Sequence, residues 1–258
     1  SRPFGTLIAP FAREGVFFFH HGRCGSTVLE RLLNQHSRLR TFGEIFERPH
    51  RLGQLPAPPF NMLRACRTAA IPAHAVVEAK FFECQHLTLF GWSISDFVEC
   101  VKNAGYHRYI FLNRENYLRK VVSAEVARKR GRKWHFRSGE TVPTTTISLD
   151  VNAVTIQGKT EPILDLFAYM DTQCDKLRKT LQYDNVLELT YEEDIVKDPQ
   201  AAYRKVCAWL GITATPAQVQ LERIGTRALS DTVENWDEVV TTLTGTRYEW
   251  MLEQDRAG

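Results

Sequence analysis

The sequence predicts an α/β fold, with a mainly parallel central sheet and helices on both faces, from three observations. Short apolar runs alternate with helical patterns in the order βαβαβαβα. The first run, Gly15 to His21, is apolar and aromatic along most of its length, as a strand covered on both sides must be. Glycines then punctuate the ends of elements, at Gly22, Gly105 and Gly211. The 258 residues show no internal repeat and no linker, so a single domain over 1–258 is expected.

Each element has its own signal. From Ser26 to His36, Val28, Leu29, Leu32 and Leu33 recur at helical spacing while Glu30, Arg31 and Gln35 take the other face. Residues 48–59 read as a proline-rich loop before a short helix at about Met62 to Ala70. A second strand is predicted over Ala75 to Phe82, then a helix from Ile94 to Ala104 that Gly105 terminates. Tyr109 to Leu112 is the third strand. It breaks into polar Asn113 to Asn116 and a helix to about Arg130, striped by Leu118, Val122 and Val126. Residues 131–160 lack periodicity and contain Gly, Ser, Pro and a Thr triplet, which predicts a long loop region of the kind that carries function. A helix from Glu161 to Leu181, a strand from Val186 to Leu189 and a helix from Pro199 to Leu210 complete the alternation. Ligands are expected at the carboxyl ends of the strands.

Composition narrows the function classes. Hydrophobic residues at 43% and charged residues at 24% exclude disorder, collagen and coiled coil as overall descriptions. The longest apolar runs, such as Val16 to Phe19, fall far short of the roughly 20 residues that span a membrane. Thirty-three Lys and Arg against 30 Asp and Glu leave +3, too little to argue for nucleic acid by bulk charge, so any anion preference is local. The six cysteines have no matched spacing and read as reduced thiols of a cytoplasmic chain; no charged segment followed by an apolar run marks a leader.

Between the first strand and first helix lies His20-His21-Gly22-Arg23-Cys24-Gly25-Ser26-Thr27. A glycine turn there exposes backbone N–H groups, and the helix dipole favours an anion. Gly22 and Gly25 let the chain wrap a tetrahedral oxyanion, Ser26 and Thr27 supply hydroxyls, and Arg23 a permanent cation; an ordinary βα turn with a capping Ser is the plainer reading. The loop is no Walker A motif, because Gly25 stands where a Lys must precede the hydroxyl residue. With one fixed cation and no evident magnesium-holding Asp, it suits a less charged group than the γ-phosphoryl of ATP, such as sulfuryl. A second anion site is carried by Arg114, at a strand end, and Ser123, two turns into the next helix. Asn116, Lys120, Ser123 and Ala127 share one face there, facing either a ligand or solvent.

These two motifs together resemble the sulfotransferases that use 3′-phosphoadenosine 5′-phosphosulfate, over roughly residues 15–250. The resemblance implies a P-loop-like three-layer fold, and implies that Arg23, Cys24, Gly25, Ser26 and Thr27 hold the 5′-phosphosulfate while Arg114 and Ser123 hold the 3′-phosphate. An Arg in the loop followed by Gly-Ser-Thr looks more like bacterial carbohydrate sulfotransferases than the cytosolic phenol and steroid branch, whose loop carries Lys. The segment Leu189 to Asp194, with Asp198-Pro199 and Trp209 to Gly211, is similar to the family's Tyr-Glu-Asp region, which makes Tyr191 a candidate for the adenosine pocket. Asn235 to Glu238 and Gly245 to Tyr248 resemble a recurring tail segment, with Thr246 and Tyr248 as candidate nucleotide contacts. A metal is not implied.

Transfer to a hydroxyl requires a group that takes the acceptor proton beside the loop. Glu44, in Thr41 to Phe46, is the first candidate and resembles the Glu of the bacterial branch; a capping or salt-bridged role is the alternative. Lys80 stands where the cytosolic branch carries its catalytic His, and is assigned to bridging-oxygen stabilisation or acceptor positioning. His20 and His21 at the loop entrance are weaker candidates. The tract Arg128 to Lys133 has five basic residues in six positions, followed by Trp134 and His135; it suits a sugar acceptor or an anionic polymer together with residues 136–160, with nucleic-acid binding or a plain solvated tract as the alternatives. The expected partner is thus a carbohydrate or other small hydroxyl acceptor, without nucleic acid. The competing reading is a module that binds adenosine phosphates or nucleic acid without chemistry.

Overall fold

The computed structural model describes residues 13–47, 57–81, 92–131, 135–156, 159–222, 224 and 227–253. Five strands form the central sheet: β1 (Gly15–His20), β2 (Leu39–Thr41), β3 (His74–Lys80), β4 (Tyr106–Asn113) and β7 (Asn185–Thr190). Their order is β2-β3-β1-β4-β7 and every pair is parallel. The helices are α1 (Ser26–Leu33), α2 (Pro59–Ala70), α3 (Ile94–Asn103), α4 (Tyr117–Lys129), α5 (Ile163–Leu181), α6 (Pro199–Trp209), α7 (Trp236–Leu243) and α8 (Trp250–Glu253). Strands β5 (Val154–Ile156) and β6 (Lys159–Glu161) form a separate antiparallel pair.

Alternation along β1 explains the layers. Val16 and Phe18 pack with Leu29, Leu32 and Leu33 of α1 and Ala202 and Val206 of α6. Phe17 and Phe19 turn the other way, onto Phe97 of α3 and the rings of Tyr106 and Tyr109. All four β1 residues are wholly buried, each contributing about 1.5–3 kcal/mol of transfer free energy. The register sets His20 of β1 beside Lys80 of β3, so both reach the carboxyl edge of the sheet.

The chain forms two compact units, one from the described parts of 1–113 and 173–219, the other from those of 114–172 and 220–258. The first holds the sheet with α1, α2, α3 and α6. In the second, Asn235 donates to Leu149 O and accepts from Leu149 N–H (both 2.8 Å), and Ile147 bridges Val233. The region read as loop therefore holds the β5-β6 pair, and α5 begins at Ile163 instead of Glu161. Pro162 accounts for the shift, since a residue before proline is pushed to extended backbone. Pro59 likewise belongs to α2 at its first turn, a position that needs no N–H. Among the described residues no helix is long and apolar enough to cross a membrane. Phe82, Cys84, most of the proline-rich segment and Arg132 to Trp134 lie outside the described residues.

Candidate active site

The loop after β1 turns on three left-handed residues, Gly22 (φ 69°), Arg23 (φ 52°) and Gly25 (φ 79°). Arg23 is the non-glycine residue in this conformation among those described, which costs a residue carrying a Cβ about 1–2 kcal/mol. Left-handed residues of this kind occur in the loops that form anion-holding concavities. Gly25 is the N-cap of α1 and has no side chain to cap it, and the first turn carries no acidic residue. The capping-Ser reading of the turn is thereby set aside: Ser26 lies inside the helix. A Cβ on Gly25 would stand 2.6 Å from Ile195 Cγ2 and 3.2 Å from the Tyr191 ring, so only glycine fits under that ring. Cys24 points into the apolar core, which leaves its backbone alone for a ligand.

Beside this loop stands a cluster of ionisable groups at the carboxyl edge of β1 and β3. Gly22 N–H donates to His20 Nδ1 (3.2 Å), tying the loop to the imidazole. His20 Nε2 lies 3.6 Å from Glu44 Oε1 and 3.5 Å from Glu78 Oε2. Lys80 Nζ sits 2.8 Å from Glu44 Oε2 and 2.8 Å from Glu47 Oε2. Burial pushes the Glu44 carboxyl up to about 8; the hydrogen bond with Glu47 adds to the rise and Lys80 opposes it. Desolvation therefore outweighs the ion pair. Glu78 is 3% exposed, its Oε1 has no hydrogen-bond partner, and burial with Glu30 and Glu44 nearby raises its carboxyl well above the ordinary range. Its burial therefore favours the protonated, uncharged form. His21, by contrast, is structural: its Nε2 pairs with Asn113 Oδ1 at 2.9 Å in the core.

Two of these groups escape a sequence reading. Glu47 follows Glu44 by one short turn, and Glu78 is a carboxylate inside an otherwise apolar strand. That second anomaly is a usable signal, because a charge between Val77 and Ala79 must be neutralised or paired.

Tyr191 opens a π-helical turn, Tyr191–Val196, held by Asp194, which accepts from Thr190 N–H at 2.8 Å and pairs with Lys205. The turn brings Tyr191 to Gly25. Arg114, Ser123, Thr246 and Tyr248 belong to the second unit. Arg114 directly follows β4 and is 7% exposed, and Ser123 is half-buried on α4. The face that carries them is not a solvated one, since Asn116 and Lys120 are 0% and 1% exposed. Asn116 caps α4 by accepting from Arg119 N–H and donates to Met251 O at 3.0 Å. Thr246 is engaged with Leu243 O and Tyr248 N–H, and Tyr248 OH donates to Asp171 at 2.8 Å.

Two solved sulfotransferases are similar to this chain. One is the sulfotransferase from Alicyclobacillus acidocaldarius, 13% identical, covering 94% of this chain and 95% of that one with a TM-score of 0.48. The other is the sulfotransferase domain from the curacin biosynthetic pathway, 19% identical, covering 80% and 76% with a TM-score of 0.47. No family model and no curated protein matches the chain.

The cluster has a consequence for stability. A carboxyl whose folded pKa lies above its unfolded value of 4.5 stabilises the fold most when both states are protonated. That stability is lost as pH rises, for Glu44 between about 4.5 and about 8. Glu78→Gln removes one such group, so its melting temperature is expected to gain on wild type as pH goes from 5 to 8. Thermal melts across that range check it; a gain that shrinks with pH would mean Glu78 is ionised in the fold.

Proposed function

We propose that the protein is a sulfotransferase that moves a sulfuryl group from 3′-phosphoadenosine 5′-phosphosulfate to an acceptor hydroxyl, acting as one catalytic domain. The observation that carries the reading is the run of contacts from loop to base: Gly22 to His20, His20 to Glu44, and Glu44 to Lys80. A passive nucleotide binder has no use for a half-buried carboxyl raised to about 8 beside an anion loop.

The residues fit an oxyanion donor group. The left-handed loop, the uncapped N-terminus of α1 and Arg23 supply donors and positive charge, and Tyr191 covers Gly25. Arg114 and Ser123 take the 3′-phosphate, and Thr246 and Tyr248 the rest of the nucleotide. The acceptor oxygen forms a bond to sulfur as the bond from sulfur to the 5′-phosphate oxygen breaks, releasing 3′-phosphoadenosine 5′-phosphate. Glu44 accepts the hydroxyl proton. Lys80 meets negative charge on the departing bridging oxygen. Since Glu44 must be ionised to act, turnover rises with pH toward about 8 and falls below it.

The acceptor is a carbohydrate or other small hydroxyl compound, held near the basic residues Arg128 to Arg130 and His135. The chain works in the cytoplasm, a placement supported by the six cysteines, whose spacing matches no disulfide framework. The test is transfer of labelled sulfate from the donor to a panel of hydroxyl acceptors, with and without EDTA. Turnover that persists in EDTA is expected, because Arg23, the hydroxyls of Ser26 and Thr27 and the loop amides meet the charge of the transferred group. Strict dependence on added metal, or donor binding without any transfer, would contradict the reading.

A further inference from the structure

His20 is wholly buried at the end of β1, where a histidine needs no reason to be if its only task is to fill space. Its two nitrogens have different neighbours. Nδ1 accepts the Gly22 N–H and so carries no proton, which in a neutral ring puts the proton on Nε2. Nε2–H then faces Glu44 Oε1 at 3.6 Å and Glu78 Oε2 at 3.5 Å, a small displacement from donating to either. The anion loop thus fixes the tautomer that points a donor at the carboxylate.

The same three side chains lie within 4.8 Å of one another, a spacing a divalent cation could use. The tautomer argues against that use. A metal on Nε2 would require the proton on Nδ1, where it would meet the Gly22 N–H head-on. Lys80 adds a fixed cation on the far oxygen of Glu44.

We propose that His20 is a positioning residue for Glu44, coupling the anion loop to the carboxylate that takes the acceptor proton, with Glu78 flanking the same Nε2. The inference rests on Glu44 being that proton acceptor. Lys80 and Glu47 face Glu44 from the other side, and Glu30 faces Glu78. Of the groups around Glu44, His20 is the donor that responds to the loop. Its Nε2–H favours the ionised form of Glu44, so removing it should make the base harder to ionise.

The experiment is the pH profile of kcat/KM for His20→Leu, His20→Gln and Glu78→Gln beside wild type and Glu44→Gln. His20→Leu is expected to move the acid limb up by about one pH unit and to lower kcat about tenfold or more, the scale of one hydrogen bond to a charged group. KM for the donor should change less than about threefold. His20→Gln, whose amide can place a donor near Nε2, should recover most of both. Glu78→Gln, which keeps the side chain's size beside Nε2, should leave the limb where it is. Equal losses in His20→Leu and His20→Gln with an unmoved limb would make His20 a packing residue and overturn the inference. So would about one tightly held divalent ion per chain by elemental analysis, lost on His20→Leu. If Glu44→Gln itself keeps near wild-type turnover, the assignment of the base fails; if it collapses while the His20 variants leave the limb in place, only the positioning role does.

Discussion

Glu44→Gln loses turnover by about 10² to 10⁴, the usual worth of a positioned general base, while donor affinity stays within a few fold of wild type. The substitution keeps size and hydrogen bonding but cannot accept a proton. Lys80 retains Glu47 as a partner at 2.8 Å, so the cluster does not lose its only ion pair. Nor should the fold weaken, because the ionised Glu44 carboxyl is the costly form in this environment. Steady-state kinetics with the donor saturating, together with a thermal melt, checks both statements. Turnover within a few fold of wild type would move the base elsewhere, to Lys80 or His20. A collapse in melting temperature would show Glu44 to be a structural residue.

Gly25→Ala is the second large effect. Two costs coincide there: a left-handed backbone at φ 79° and a Cβ placed 2.6 Å from Ile195 Cγ2 and 3.2 Å from the Tyr191 ring. The backbone term is worth about 1–2 kcal/mol and the overlap about 1–3 kcal/mol, so stability should fall by about 2–5 kcal/mol together. Relief by movement of the loop or of the 191–196 turn would displace the donors from the anion. Nucleotide affinity should therefore drop at least about tenfold, a loss of about 1.4 kcal/mol or more. Calorimetric titration and a denaturant melt measure the two. Wild-type affinity in a destabilised Gly25→Ala chain would separate the loop from the nucleotide.

Local chemistry explains what the sequence made visible. The loop was legible because glycine and hydroxyl residues sat between an aromatic run and an amphipathic helix, and each is a local signal. Glu44 could be placed near the loop because it lies one helix away, and β2, whose register with β3 returns the chain to the carboxyl edge, completes that path. The strand itself was invisible: three residues at a sheet edge carry no periodicity, and their pairing with His74 to Val76 is nonlocal. The β5-β6 pair and α7 were missed for the same reason, being stabilised by contacts such as Asn235 with Leu149 that no local pattern encodes. The burial of Asn116 and Lys120 went unseen because a polar stripe on a helix reads alike whether water or protein covers it. Glu78 was the one group whose signal was present and unused.

The claim that the two motifs serve one nucleotide is tested most directly by calorimetric titration of 3′-phosphoadenosine 5′-phosphate against AMP. On the proposed reading the 3′-phosphate gains charge-assisted hydrogen bonds from Arg114 and Ser123, so it should tighten binding about tenfold or more, and Arg114→Ala should erase most of that difference. Equal affinity for the two nucleotides, or tighter binding of ATP with magnesium than of either, would contradict the account.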